Sequence, residues 1–389
     1  MNQIPQSLLD TDLYTFSVQN AILDHFYDAR AEYRFVNRGY HKITPQLIEA
    51  LKFQVYNVFP SIYLTDYEYH WLKSTCKHLK PWYFEYLKNY RFNPEEVKIE
   101  QDGNETKISV IGPWHSTIMW EVPLLYTISQ LYHEIVDNNW SMEGQVEKIN
   151  LKGKKLSNND CFTADMSTRR RRNFNSQKIV VEELKKYPCF NGTSNTYLAM
   201  LNSVKPIGTM SHQWISAMQA IRSIRYCNHY AMDYWVKTFG TSLGIMLTDT
   251  VTSDCFLKSF SPYFANLFSG TRCDSGIELE YVDKMIKHYK SLNINPNHKC
   301  IIFSNSLNVD KAIKIRKYCE GKIGCSFGIG NHLGNDFENS PAPNMVIKLW
   351  SINGIPVVKL SDDLGKLIGD KDAVKVTKWE CCGTTIEVD

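Results

Sequence analysis

The sequence predicts an α/β protein of two domains, the second of them a parallel β/α barrel. Three observations carry this. From about residue 155, short apolar or small-residue runs end in polar residues and lead into helical patterns, six times at spacings of roughly 20 to 45 residues. Each run also carries its functional-looking residues at its C-terminal end, where βα-barrel sites are built. An open sheet fits the repeat as well, and the strand-end pattern favours the barrel. Finally, 389 residues exceed one ordinary domain and fall short of three. The expected division is 1–150 for an N-terminal α/β domain and 151–343 for the barrel, with 344–389 joining the first. No Pro/Ser/Gly-rich linker separates them, so tight packing is expected.

The N-terminal elements follow from caps and periodicity. Asp10 or Thr11 can cap a helix from Asp12 to about His25. Ala31-Glu-Tyr-Arg-Phe35 alternates as a half-buried strand does, and Gly39 ends it. Thr44-Pro45 opens a helix with Leu47, Ile48, Leu51 and Val55 on one face; Thr65-x-x-Glu68 is a capping box for the next. Val97 to Gln101, the turn Asp102-Gly103-Asn104 and Thr106 to Ile111 read as a hairpin. Pro123 starts a helix through Tyr132. The barrel runs are Cys161 to Thr168, Pro206 to Gln213, Leu243 to Thr250, Asn266 to Asp274, Cys300 to Asn305 and Ile323 to Gly330. Met345 to Trp350, Asn353-Gly354 and Pro356 to Leu360 form a closing hairpin.

Composition excludes several classes. The 44 basic and 41 acidic residues leave a net charge of +3, without the cationic footprint a nucleic-acid partner needs. Eleven cysteines without a C-x-x-C pair, and no H-E-x-x-H, indicate reduced thiols in a cytoplasmic protein. Met1 to Asp12 lacks the basic and apolar regions of a signal peptide, and no apolar run approaches 18 residues. No membrane partner is expected.

Chemistry concentrates at the ends of the barrel runs. Gly328-Ile-Gly330-Asn-His-Leu-Gly334 follows a strand as a phosphate-cradling loop should, or is a plain glycine turn; it is not G-x-G-x-x-G, and no Walker A sequence exists. His212 stands just past a strand end among small hydroxyl residues; a satisfied structural histidine is the commoner explanation, and its place on the rim favours function. Asp249 and Asp274 sit at strand ends, where carboxylates bind metal, hold ribose hydroxyls, orient a histidine or simply cap a helix. Asn191-Gly-Thr-Ser194-Asn195 reads as a cap-rich turn.

The densest charge is Arg169 to Arg172. With Thr168 as N-cap these residues fill a first helical turn, Arg169 and Arg172 on one face. Cations there oppose the macrodipole, so an anion or facing carboxylates should accompany them. A solvated run, a nucleic-acid patch and an anion site at a pocket's edge all remain open on this evidence.

In chain order, a set of motifs jointly resembles one family, the nicotinate phosphoribosyltransferases. They are Ser7-Leu-Leu-Asp-Thr-Asp-Leu-Tyr14, Thr168-Arg-Arg-Arg-Arg172, Gly192-Thr-Ser-Asn195 and Lys205-Pro-Ile-Gly-Thr-Met-Ser-His-Gln-Trp214, then Leu247-Thr-Asp-Thr250, Arg272-Cys-Asp-Ser-Gly276, Ser326-Phe-Gly-Ile-Gly330 and Val346-Ile-Lys348. The resemblance implies a type II phosphoribosyltransferase fold, an irregular, incomplete α/β barrel with a second α/β domain formed by the N- and C-terminal segments. It implies transfer of ribose 5-phosphate from phosphoribosyl pyrophosphate to the ring nitrogen of nicotinate. Nicotinate mononucleotide and pyrophosphate would be released, on the salvage route to NAD. It further implies ATP as co-substrate, a transient phosphohistidine at His212, Mg2+, and a cytoplasmic homodimer whose sites draw on both subunits.

Carried over residue by residue, the resemblance assigns Asp249 and Asp274 to the ribose hydroxyls and Mg2+. Ser304, Asn305, Gly328 and Gly330 suit the 5-phosphate, and Arg272 suits phosphate oxygens. Arg169 suits the pyridine carboxylate or ring, with the partner subunit's Tyr14 stacking opposite. Arg38, Lys348, Lys359 and Lys366 resemble cations that hold pyrophosphate and ATP, although on sequence alone each reads as a surface cation. Ser194 and Asn195 set specificity: the nicotinamide-using relative carries an aspartate there, which would repel a carboxylate. Quinolinate phosphoribosyltransferase is shorter and lacks the His212 loop. Two departures stand out, Ser211-His-Gln213 where members often have Ala-His-Glu, and Met166-Ser-Thr-Arg169 where they often have Phe-Gly-Thr-Arg. The alternatives are a nicotinamide or quinolinate enzyme, a nucleic-acid-binding protein using Arg169 to Arg172, and a catalytically silent relative.

Overall fold

Gly354 and Asn353 turn the chain at φ +78° and +50°, the pair of positive angles that a two-residue Asn-Gly hairpin requires. This turn belongs to a computed structural model that describes residues 2–102 and 105–383. Its strands begin with β1 (Arg30–Asn37), β2 (Val97–Asp102) and β3 (Glu105–Pro113). Next come β4 (Thr163–Asp165), β5 (Phe190–Thr193), β6 (Ile245–Leu247), β7 (Gly270–Cys273), β8 (Cys300–Phe303) and β9 (Gly324–Ile329). The last are β10 (Asp336–Phe337), β11 (Ser340–Pro341), β12 (Met345–Ile352) and β13 (Ile355–Pro356).

One sheet joins the two ends of the chain, in the antiparallel order β13-β12-β1-β3-β2. Ala31 and Tyr33 of β1 are buried and Arg30 and Arg34 exposed, the alternation that marked this strand. β12 is buried along nearly its whole length because the helices Glu121–Ile135 and His212–Ile221 lie against it. The β2–β3 hairpin pairs Val97 with Val110, and Gly103 and Asn104 of its expected turn lie outside the described residues. The closing hairpin is shorter than expected. Val357 N still donates to Trp350 O at 3.0 Å, and past it the chain leaves the sheet. Leu360 N then donates to Thr250 O at 2.8 Å, which carries residues 357–368 across to the barrel.

The caps behave as their residues dictate. Thr44 accepts from Leu47 N at 3.2 Å, and Thr65 and Glu68 form the capping box. The helix expected at Pro123 begins two residues earlier, at Glu121. The first helix, Leu13–His25, starts from Asp12 and not from Asp10 or Thr11; Asp12 makes no capping bond because its carboxylate is engaged elsewhere.

The second sheet is wholly parallel, in the order β5-β4-β9-β8-β7-β6. Neighbours follow chain order except that β9 returns to β4, which is the cyclic order of a barrel. The circle is not closed. Among the described residues, one bridge from Thr193 to Pro206 and a bond from Thr209 Oγ1 to Ile245 O at 3.2 Å stand between β5 and β6. Pro206 cannot extend the ladder, so the closed barrel favoured by the strand-end pattern gives way to an incomplete one. The run Pro206 to Gln213 is accordingly a single bridge followed by the helix at His212. Conversely, β5 forms where a cap-rich turn was expected. Gly192, at φ +137°, permits it: a Cβ there would lie 2.0 Å from Lys205 O.

Tyr33, Trp114, Trp214, Met246, Ile301 and Ile347 belong to one continuous core, so the two sheets are packed as a unit. The helix Gln145–Ser157 runs through the expected boundary at 150/151 and packs against the helices Phe174–Leu184 and Val309–Cys319. All eleven cysteines are unbridged. Among the described residues, no helix is long and apolar enough to cross a membrane.

Candidate active site

A cavity of about 950 Å³ opens where the C-terminal ends of the barrel strands face the antiparallel sheet. Seven cations line it: Arg38, Arg169, Arg170, Arg272, Lys348, Lys359 and Lys366, against the carboxylates Asp12, Glu121 and Asp274. A surplus of cations in a concave site suits a polyanionic ligand. The four cations that read singly as surface residues converge here from residues 38, 348, 359 and 366.

His212 is the first residue of its helix, after Ser211. Its Nε2 lies 2.9 Å from Asp249 Oδ1, 3.5 Å from Asp274 Oδ2 and 2.7 Å from Lys359 Nζ. Burial and the Lys359 ammonium lower its pKa to about 4, so the imidazole is neutral at physiological pH. Asp249 is 1% exposed, and its Oδ2 accepts from Ser275 Oγ at 2.7 Å. Burial opposes its charge, yet His212, Lys359 and these hydrogen bonds hold its pKa well below the usual carboxylate range. Asp249 thus contacts the histidine through one oxygen and Ser275 through the other. Asp274 faces the cavity, with Ser304 Oγ donating to its Oδ1 at 2.5 Å.

The arginine run does not fill an α-helical turn. Thr168–Arg170 is one 3-10 turn, Arg171 is extended, and the next helix begins at Phe174 with Asn173 as its cap. The expected conflict with a macrodipole therefore does not arise, and Arg169 and Arg172 share no helical face. Arg171 is fully buried and grips Asp10 with both terminal nitrogens, at 2.6 and 2.7 Å. Arg172 is buried as well. It donates to Asn335 Oδ1 at 2.9 and 2.7 Å and stacks 4.0 Å from the Phe337 ring centre. Two sealed arginines remove the basis for a nucleic-acid patch. Arg170 lines the cavity and donates to Asn344 Oδ1 at 3.1 Å. Arg169, its side chain 40% exposed, reaches into the cavity between Asp12 at 3.7 Å and Glu121 at 4.0 Å.

Tyr14 lines the cavity of its own chain. Leu13 N donates to Ser194 O at 2.9 Å, and Asp12 bridges Asn195, which lashes the start of the first helix to the end of β5. Ser194 donates to Asp12 Oδ1 at 2.7 Å and borders the cavity. Asn195 does not reach it: the side chain is fully buried, caps the helix Thr196–Asn202 and donates to Asp10 at 2.8 Å. Asn305 also turns away, donating to Gly276 O at 3.2 Å and accepting from Lys366 at 2.7 Å. Gly328 and Gly330 border the cavity, and a Cβ on Gly328 would crowd the Met166 side chain, 2.3 Å from its Sδ. Arg272 Nε and Ser211 Oγ, both on cavity-lining residues, are buried without a hydrogen-bond partner, as donors of an anion site would be.

Two residues escaped the sequence reading. Glu121 and Asp12 are buried carboxylates on either side of Arg169. The available signal for Glu121 was a lone carboxylate inside the apolar run Ile118-Met-Trp-Glu-Val-Pro-Leu-Leu125.

An incomplete barrel whose strand ends carry a buried neutral histidine among cations defines an α/β enzyme for phosphate-bearing substrates. The model of the nicotinate phosphoribosyltransferase (NAPRTase) family matches residues 161–382, and that of its N-terminal domain matches residues 9–129. The chain belongs to the nicotinate phosphoribosyltransferase family. It is 45% identical to the nicotinate phosphoribosyltransferase of Methanococcoides burtonii, over 96% of this chain and 97% of that one. The crystal structure of nicotinate phosphoribosyltransferase from Porphyromonas gingivalis superposes with a TM-score of 0.94 at 33% identity, covering 96% of this chain and 99% of that one. That from Vibrio cholerae superposes with 0.92 at 30% identity, covering 100% and 95%.

Proposed function

We propose that this enzyme transfers the phosphoribosyl group of phosphoribosyl pyrophosphate to the ring nitrogen of nicotinate. The transfer is coupled to ATP hydrolysis through a phosphohistidine at His212. The observation that carries the coupling is His212 Nε2 placed 2.9 Å from Asp249 Oδ1, with no described residue hydrogen-bonded to Nδ1. A neutral imidazole whose Nε2–H is bound by a carboxylate presents a lone pair at Nδ1. Nδ1 attacks the γ-phosphorus, an N–P bond forms, the P–O bond breaks and ADP leaves. Asp249 stabilises the positive charge that the ring acquires. Water later takes the phosphoryl group, so the cycle sums to ATP and water giving ADP and phosphate.

In the transfer itself the C1–O bond to pyrophosphate breaks and the bond from the pyridine nitrogen to C1 forms. That nitrogen carries its lone pair already, so no general base is required. The chain's task is positioning and charge stabilisation. Arg169 meets the nicotinate carboxylate and Tyr14 its ring; Asp274 faces the ribose; Arg272 and Ser304 face the 5-phosphate. Arg38, Lys348, Lys359 and Lys366 receive the polyphosphates. Of the clustered His212, Asp249 and Asp274, whose ligand atoms lie within 4.8 Å of one another, the two carboxylates suit Mg2+. Asp274, the carboxylate open to the cavity, would hold it with substrate phosphates, and Asp249 would stand behind. When bound, the ion would neutralise polyphosphate charge. A cytoplasmic homodimer completes the proposal, and eleven unbridged thiols support a reducing compartment.

The test is product formation from nicotinate and phosphoribosyl pyrophosphate with and without ATP, against nicotinamide and quinolinate. Nicotinate mononucleotide should form fastest, and γ-labelled ATP should leave acid-labile phosphate on the wild type but not on His212→Asn. Preference for either competing substrate would overturn the assignment.

A further inference from the structure

We propose that Glu121 is the positioning residue of the pyridine cradle, holding Tyr14 and Arg169 in register with His212 by way of Gln213. The inference rests on the reading of Tyr14 and Arg169 as that cradle. Glu121 is 4% exposed and surrounded by donors from four separate elements. Its Oε2 accepts from Gln213 Nε2 at 2.8 Å and from Tyr14 OH at 3.2 Å. Its Oε1 faces Lys348 Nζ at 3.4 Å and Arg169 Nη1 at 4.0 Å. A buried carboxylate with this many donors is held in place by them, and it holds them in turn.

Gln213 follows His212 directly in the first turn of its helix. Its Oε1 accepts from Tyr33 OH, and Tyr33 OH accepts from Trp114 Nε1 at 3.0 Å. With Oε1 committed to a donor, Nε2 must face Glu121. The amide thus joins a rigid aromatic pair to the cradle, and the histidine's helix sits on the link. This gives the departure at position 213 a purpose. A carboxylate there would confront Glu121 with a second acceptor.

The charged and titratable groups around the pair are Tyr14, Tyr33, Arg169 and Lys348, with Asp12 behind Arg169 and Lys359 and Arg38 around Lys348. None is a carboxylate in contact with Gln213 other than Glu121 itself. In Gln213→Glu the two facing carboxylates would share one proton at low pH and repel at high pH.

The experiment measures nicotinate KM, kcat, ATP-dependent phosphohistidine formation without nicotinate, and thermal midpoint on the full chain. Glu121→Gln keeps the shape and removes the charge. It should raise nicotinate KM at least tenfold while phosphohistidine formation and the midpoint hold, and Glu121→Asp should recover part of the affinity. An unchanged nicotinate KM overturns the inference. Should Glu121→Gln not fold, Gln213→Glu decides: its nicotinate KM should rise with pH through an ionisation absent from the wild type, and a wild-type profile overturns the inference. Arg169→Ala separates the two levels. If that variant keeps its nicotinate KM, the cradle reading fails; if it loses affinity while Glu121→Gln does not, only the role of Glu121 fails.

Discussion

Lys359 places its ammonium 2.7 Å from Nε2 of His212 and 3.2 Å from Oδ2 of Asp249, so one cation touches both members of the histidine–aspartate pair. It works against the imidazolium and with the carboxylate. The histidine is thereby kept neutral and the aspartate an anion.

Removing that cation should retune the histidine. In Lys359→Met the carboxylates of Asp249 and Asp274, which raise the His212 pKa, act without opposition from the ammonium. Phosphohistidine formation in the wild type should stay level from pH 8 down to about 5, whereas in Lys359→Met it should decline below a higher pKa. Labelling with γ-labelled ATP across this range, each protein normalised to its own maximum, makes the comparison. Superimposable profiles would remove Lys359 from control of the histidine.

Asp10 and Arg171 should behave as a structural pair. Both are fully buried, and Asp10 also accepts from Asn195 at 2.8 Å. Asp10→Asn leaves a buried guanidinium without its counter-charge, a change that costs about 3–5 kcal/mol. Urea unfolding should show the loss. Arg169→Ala, by contrast, should leave the unfolding midpoint nearly unchanged and raise nicotinate KM.

Acid stability should follow His133. This residue is buried, and its Nδ1 lies 3.0 Å from Arg172 Nη1. Burial and Arg172 lower its pKa to about 4 from the ordinary 6.5. As pH falls, the unfolded chain therefore takes up this proton before the folded one. The stability involved is present above pH 6.5 and is lost between 6.5 and about 4, at up to about 1.4 kcal/mol per pH unit. His78, also lowered to about 4, adds in the same direction. The thermal midpoint should fall across this window, and His133→Asn should flatten part of the slope. An equally steep fall in the variant would assign the acid sensitivity to other groups.

What could be read in advance follows from the range of the forces involved. The Thr65–Glu68 capping box is complete within four residues, and the apolar run of β12 shows a strand covered on both faces. The path of Arg171 is set by Asp10, 161 residues away, and no local signal shows that this arginine will be extended and buried. β5 was hidden because Asn191-Gly-Thr193 favours turns until Lys205 O closes over Gly192. His212, Asp249 and Asp274 were legible as strand-end residues. Glu121 was not, since its meaning lies in donors supplied from residues 14, 169, 213 and 348.

Ser194 is where substrate choice should be most easily inverted. Its hydroxyl donates to Asp12 Oδ1 at 2.7 Å, and Asp12 in turn faces Arg169 at 3.7 Å. Burial raises the Asp12 pKa, so this carboxylate already bears its charge reluctantly. Ser194→Asp would set a second acceptor where the donor stood. Either the two acids share a proton, or the new charge draws Arg169 away from its ligand. Both outcomes weaken a carboxylate on the pyridine ring, and an acceptor beside the ring favours an amide N–H instead. The kcat/KM for nicotinate should fall about 100-fold, roughly 2.7 kcal/mol, and the ratio of nicotinamide to nicotinate use should rise. Competition between the two substrates on Ser194→Asp reads that ratio directly. If it stays at the wild-type value, discrimination does not pass through the end of β5 and must be carried by Arg169 and Tyr14 alone.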